Sequence, residues 1–330
     1  MVLGNEVLIS WNGFDFTLIH ILISALCIIL IPFLLKTNSS DSGGDVSVGL
    51  RREMAKSSTE SLTSLANDDR VVHPIHFKQF RVLKRTQESH NTVRITLDIP
   101  GDKDLGLKIG RHVSVKADIA GNKVIRAYTP VSRIDQKGSF EICVKRYDDG
   151  KLSNYIWNLK VGDWLDVRGP VGRYQWKENA YPVMGLIAAG SGITPALQLI
   201  RSSLECPVAK GDRTKFILMY QNRTESDILM RALLEELTAT YPDRLQVVFF
   251  LSKPPQNSSS WNGGCTSLAQ VPRGKAGQVS GYIDEKWVNE TLHFNLCPHV
   301  CICGPSSFNG HVRDLLCDHG HDADTSVFIW

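Results

Sequence analysis

The longest apolar stretch of the chain comes first. Residues 16–35 (FTLIHILISALCIILIPFLL) hold no acid, lysine or arginine, and as a helix they would span about 30 Å, the thickness of a bilayer's hydrocarbon core. This predicts a transmembrane helix within an N-terminal anchor, residues 1–36. A cleaved signal peptide is the alternative, but residues 1–15 carry no Lys or Arg and no small-x-small cleavage pattern follows the run. From 37 to 70 apolar positions are too sparse to offset the entropy of ordering the chain, which predicts a flexible tether. Between 71 and 180 short alternating runs recur (FKQFRVLKR, TVRITLDIP, HVSVKADI, GSFEICVKRY, DWLDVRGP), separated by Gly, Asp or Pro. That period predicts a small antiparallel β-barrel domain. From 181 to 330 unbroken apolar runs alternate with helical periods: YPVMGLIAAG then TPALQLIRSSL, KFILMYQNR then ILMRALLEELTATY, LQVVFFLS, and HVCICG then FNGHVRDLLCDHG. Strand and helix in alternation predict a second domain built on a doubly wound parallel sheet.

Charge changes this picture in two places. Lys36, Arg51, Arg52 and Lys56 follow the apolar run while Glu6 and Asp15 precede it, so positive-inside bias leaves the two domains in the cytosol. Residues 71–180 hold 20 Lys and Arg against 12 Asp and Glu, whereas 181–330 hold 12 against 14. The basic excess concentrated in the barrel suits phosphate or an acidic partner, and no nucleic-acid fold signature accompanies it. Among 330 residues, 42% hydrophobic content and 8 Cys without C-x-x-C pairs exclude a disordered chain and a small disulfide scaffold. Cys317, His319 and His321 do not make up a spaced metal set, so no metal site is expected.

Five stretches carry chemistry. Arg126, Tyr128, Thr129, Pro130 and Ser132 lie in one extended segment, where alternation puts Arg126 and Tyr128 on one face. A guanidinium there can pair with a diphosphate and the ring can meet a flat ligand, although the segment is equally readable as a strand with a turn. Val144, Lys145 and Tyr147 lead into Gly150, Lys151, Leu152 and Ser153, a glycine turn opening a helix whose free N–H groups can take a phosphate; an ordinary capped helix is the alternative. Gly190, Ser191, Gly192, Thr194 and Pro195 form a glycine-rich turn after an apolar strand, where nucleotides bind. Beyond the next strand, Asp227 can accept from ribose hydroxyls or cap the following helix. The last run ends in Cys303, Gly304 and Pro305; Cys303 would face the same crevice or be a buried structural cysteine.

In this order, R-A-Y-T-P-V-S (126–132), G-K-L-S (150–153), A-A-G-S-G-I-T-P (188–195), Q-N-R-T-E-S-D-I-L (221–229) and C-G-P (303–305) resemble the ferredoxin-reductase superfamily, and most of all its membrane-anchored NADH-cytochrome b5 reductases. The likeness covers roughly residues 72–330. It implies that the barrel binds FAD and the α/β domain binds NADH. Arg126 would hold the FAD pyrophosphate. Tyr128 and Thr129 would lie along the flavin, with Pro130 and Ser132 completing that motif. Val144, Lys145, Tyr147 and the Gly150, Lys151, Leu152, Ser153 turn would serve the same cofactor, and Thr194 would sit near the ring. Gly190, Ser191, Gly192, Gly304 and Pro305 would hold NADH, with Asp227 favouring it over NADPH. Thr129 and Cys303 would flank the reacting rings, the thiol orienting hydride transfer rather than acting as a nucleophile.

The resemblance further implies a monomer on the endoplasmic reticulum or outer mitochondrial membrane that passes single electrons to an acidic haem protein, cytochrome b5. Two alternatives stay open: a quinone or other acceptor, and a catalytically degraded nucleotide-binding module. The second is prompted by Ala189 and Ser306-Ser307-Phe308, which depart from the family pattern, as do an apparent insertion at 265–280 and the terminal Trp330.

Overall fold

Alternation along the first strands decides the first layer. In the computed structural model, β1 (Lys78–Ser89) buries Phe80 and Val82, β2 (Thr92–Asp98) buries Val93, Ile95 and Leu97, and β3 (His112–Ile119) buries Val113, Val115 and Ala117. β5 (Ser139–Lys145) and β6 (Trp164–Val171) add Phe140, Ile142, Val144, Leu165 and Val167 to the same interior, where Phe80 and Phe140 meet edge to face at 5.3 Å. The six strands form one antiparallel sheet in the order β4-β3-β6-β1-β2-β5, with the exposed β4 (Asn122–Tyr128) at its edge. Helix α1 (Lys151–Asn158) lies between β5 and β6 and buries Leu152 and Ile156 in this core.

The second sheet is parallel, in the order β10-β9-β8-β7-β11-β12. Its members are β7 (Val183–Ala189), β8 (Lys215–Asn222), β9 (Leu245–Leu251), β10 (Gly277–Ser280), β11 (His299–Cys303) and β12 (Val327–Ile329). Their apolar runs are unbroken because both faces are covered. On one face Leu186, Leu218, Val247 and Phe249 pack with α2 (Ile193–Glu205) and α3 (Arg231–Thr240). On the other Ile187, Met219, Val248 and Phe250 pack with α4 (Glu285–Leu292) and α5 (Ser306–Asp318). The chain builds β7 to β10 in one direction and then crosses to β11 and β12, so the order reverses between β7 and β11. A crevice opens at the carboxyl ends of strands at such a reversal.

The structure describes residues 69–206, 211–255, 261 and 265–330. The expected transmembrane run 16–35 lies outside them, as does the tether up to residue 68. Among the described residues no helix is long and apolar enough to cross a membrane. The segment 265–280, expected only as an insertion, supplies the edge strand β10.

Candidate functional site

The crevice between β7 and β11 continues toward β4 and α1 of the antiparallel sheet as one cleft of about 1360 Å³. Three helices begin on its wall. The N-cap positions of α1, α2 and α5 are Gly150, Gly192 and Pro305; none donates or accepts a side-chain cap, and none of the three first turns contains an acid. The starts of α1 and α5 therefore present N–H groups without side-chain caps, the Ile193 N–H of α2 is already spent on the carbonyls of Gly190 and Ser191, and all three present the positive end of the helix dipole. Arg126, exposed on β4, adds a fixed cation to the same wall. Three positive helix ends and a guanidinium around one cleft suit a ligand with several phosphate charges.

Close backbone approach shapes the parallel-sheet side. The 3-10 turn Gly190–Gly192 leads directly into α2. A Cβ on Gly192 would lie 2.1 Å from the Cys303 carbonyl oxygen, so only glycine lets this turn meet the β11–α5 loop. Tyr220 on β8 donates its hydroxyl to the Gly190 carbonyl at 2.8 Å and pins the turn. The expected departure at Ala189 is accommodated across the cleft floor, where its methyl occupies space that a Cβ on Gly304 would need.

Most of the expected site residues converge. Arg126, Tyr128, Thr129, Lys145, Tyr147, Gly150, Lys151, Leu152 and Ser153 line the cleft from one side. Gly190, Ser191, Gly192, Thr194, Asp227, Cys303, Gly304 and Pro305 line it from the other. Pro130, Ser132 and Val144 do not reach it. Ser132 turns inward, where its hydroxyl accepts from Glu141 N–H at 3.1 Å, and Val144 is core. Ser153 also spends its hydroxyl locally, donating to the Gly150 carbonyl at 3.0 Å.

The ionisable groups are held in defined states. Burial pushes the Cys303 thiol up to about 11, so it is protonated at neutral pH and is not an activated nucleophile. Burial likewise raises the Tyr128 phenol to about 12, against the opposing charge of Arg126. Asp227 is not the cap of α3, which starts at Arg231 behind Met230. It closes a capping box over the 3-10 turn Glu225–Asp227, accepting from Thr224 N–H at 3.1 Å and Thr224 Oγ1 at 2.7 Å. Its other oxygen accepts from Lys145 Nζ at 3.3 Å, an ion pair between the two sheets. Burial alone would raise the Asp227 carboxyl; Thr224 and Lys145 more than offset it and hold it low. Among the described residues no group of His, Cys, Asp and Glu is arranged to hold a metal, and His319 and His321 are within hydrogen-bonding distance of backbone carbonyls.

Of the remaining wall residues, the sequence marks Trp330 as a terminal departure from the family pattern, whereas His112 and Ser252 are not singled out. Trp330 packs with Tyr174 and Phe328, ring centroids 5.6 and 5.4 Å away, and its buried indole Nε1 has no partner. It thus offers a spare donor at the cleft. His112 and Ser252 also reach the wall, each from the end of a strand. Only their position at strand ends could have flagged them.

Comparison with known proteins gives the following. Residues 79–176 match the oxidoreductase FAD-binding domain family and residues 186–314 the oxidoreductase NAD-binding domain family. NADH-cytochrome b5 reductase 1 of Cryptococcus neoformans is 35% identical over 261 residues, which is 79% of this chain and 84% of that one. The Arabidopsis thaliana protein named NADH--cytochrome b5 reductase 1 is 38% identical over 205 residues, 62% of this chain and 71% of its own. Among solved structures, the CS-b5R domains of human Ncb5or in the NAD+ form superpose with a TM-score of 0.62 at 26% identity, covering 80% of this chain and 71% of that one. The cytochrome b5 reductase domain of Ulva prolifera nitrate reductase shares the fold, with a TM-score of 0.68 at 24% identity over 80% of this chain and 100% of its own.

Proposed function

The chain belongs to the NADH-cytochrome b5 reductase family, and from that premise we propose that it is an FAD-dependent enzyme that oxidises NADH and passes single electrons to cytochrome b5. The observation that carries this reading is the convergence of three uncapped helix starts on one cleft shared by the FAD-binding and NAD-binding regions. Two dinucleotides bring two diphosphates, and that electrostatic environment matches them. The spare indole donor of Trp330 also fits a polar ligand edge. Bound FAD would supply the chemistry that converts a two-electron donor into a one-electron donor.

The protein's own part is binding and orientation. Within a barrel domain spanning 71–180, Arg126 and the start of α1 at Gly150 would hold the FAD diphosphate, and Tyr128 and Thr129 would serve its ring. Within the α/β domain spanning 181–330, Gly190, Ser191 and Gly192 with Gly304 and Pro305 hold the NADH diphosphate. Thr194 and the protonated Cys303 thiol, both on the cleft wall, would bound the nicotinamide end of the site, where a neutral thiol would exclude water without acting as a nucleophile. Cytochrome b5 would be met by the basic FAD-binding region, with 20 Lys and Arg against 12 Asp and Glu, in a weak, salt-sensitive encounter. The 16–35 run would tether a monomeric enzyme to a membrane with its domains in the cytosol.

The purified full-length chain is expected to be yellow and to bleach on anaerobic addition of NADH, with colour returning when oxidised cytochrome b5 is added. A colourless protein after incubation with excess FAD would overturn the reading, and flavin that is retained but does not bleach would leave only a nucleotide-binding module.

A further inference from the structure

Resting on the reading of the 16–35 run as a membrane anchor, we infer that the outer face of the β1–β6 pair is a second membrane contact, which seats the antiparallel domain on a bilayer surface carrying anionic lipid. Single exposed apolar side chains are ordinary on a protein surface, but a contiguous group marks a place of contact. Trp164 is 55% exposed, Val161 64% and Leu83 43%, and the backbone holds them together. Arg81 and Trp164 are direct partners across the two strands. The turn that carries Val161 is bound to β1, Gly162 N–H donating to the Val82 carbonyl at 2.9 Å and Val82 N–H to the Asp163 carbonyl at 2.8 Å. Phe80, Val82 and Leu165 are core, which turns Arg81, Leu83 and Trp164 outward. None of these residues lines the cleft, so the face is separate from the nucleotide site.

Charge and connectivity say what covers it. Arg81 stands opposite Trp164, Lys84 follows Leu83 and Lys160 precedes Val161; all three cations are exposed and form no ion pair among the described residues. The acids of β6 and its leading turn are engaged, Asp166 with Lys116 at 2.9 Å and Asp163 by Lys160 N–H at 2.7 Å. A tryptophan with aliphatic neighbours and a basic rim suits a lipid interface, with the ring at headgroup depth and the cations at lipid phosphate. The same face receives the chain from its N-terminal side. The His73 carbonyl accepts from Gly169 N–H at 3.0 Å, and the Phe77 ring lies against Lys116 and Arg168, 4.6 and 5.2 Å from its centroid. Ile75, 68% exposed, belongs to this segment. Residues 36–68 separate the apolar run from the described chain, and even fully extended they reach no more than about 120 Å. An anchored chain therefore keeps this face at a high local concentration of lipid.

The test uses the full-length chain in vesicles of phosphatidylcholine and phosphatidylserine, three parts to one, with and without bromine on the acyl chains. Flotation reports anchoring, and the difference in emission between the native chain and Trp164→Phe isolates Trp164. The expected result is that brominated lipid removes at least half of that difference. Replacing phosphatidylserine by phosphatidylcholine, or introducing Arg81→Glu with Lys84→Glu into both chains, should each cut this loss at least twofold. Removal of less than half overturns the inference, as does a loss that either change reduces less than twofold. Trp164 emission that ignores lipid but shifts when cytochrome b5 is added assigns the face to a protein partner and likewise overturns it. A chain that does not float refutes the anchor itself, and the inference falls with it.

Discussion

His299 opens β11 with its ring stacked on Tyr181, centroids 4.5 Å apart and planes within 5°. Burial first, and then the neighbouring His321, lower its pKa to about 4. Folded His299 is therefore neutral across a range in which an unfolded histidine, near pKa 6.5, takes up a proton. Between those two values the unfolded state binds more protons, so stability falls as pH drops from about 6.5 toward about 4, by up to about 3 kcal/mol from this residue. Urea unfolding of the native chain and of His299→Phe at pH 6.5 and 4.5 should show a shallower acid loss in the variant. Equal losses would mean that the ring is not the proton acceptor. His321 shifts in the same direction and remains in both proteins, so the difference isolates His299. The sequence marks position 299 only as the start of an apolar strand; its neutral state follows from burial and from His321, which belongs to another segment.

At the scale of elements, the glycines of the 190–192 turn look alike in sequence and do different work. Gly190 has φ +53 with open space around a would-be Cβ, whereas Gly192 has an ordinary φ and backbone atoms of Cys303 and Gly304 within 3.0 Å of one. Gly190→Ala should cost about 1–2 kcal/mol, the penalty for a left-handed backbone. Gly192→Ala must push α2 away from the β11–α5 loop, an overpacking that costs about 1–3 kcal/mol or more. It should also weaken nucleotide binding, because both helix starts belong to the proposed site. Urea midpoints alongside NADH-dependent bleaching will rank the two; a milder effect at Gly192 than at Gly190 would show that the loop yields. Strand–turn–helix order was readable here because β7 and α2 each run long enough for their period to appear. β10, with four residues, and β12, with three, are too short for alternation to register, and it is pairing with β9 and β11 that makes them strands.

Across the molecule, the two sheets are joined by polar contacts as well as apolar ones. Buried Gln198 on α2 accepts from Gly110 N–H at 2.8 Å and donates to the Arg111 carbonyl at 3.0 Å, and Arg201 donates to the Val131 carbonyl at 2.8 Å. Gln198→Ala leaves a donor and an acceptor of the antiparallel unit unpaired in the interior, a cost of about 1–3 kcal/mol. It should lower the thermal midpoint and speed loss of flavin together; a lowered midpoint with unchanged flavin retention would mean that this junction does not shape the cleft. None of these pairings could be read beforehand. Hydrophobic period is a local property, so the chain alone determined the antiparallel region, the parallel region and the glycine-bearing turns at their element ends. Which groups meet is settled by elements distant in sequence. Lys145 and Asp227, 82 positions apart, become partners only when β5 is laid against the turn after β8, and that contact converts a carboxylate expected at the ribose into one already satisfied. Tertiary structure alone decides this because a charged side chain's state depends on the neighbours and the water left around it after packing.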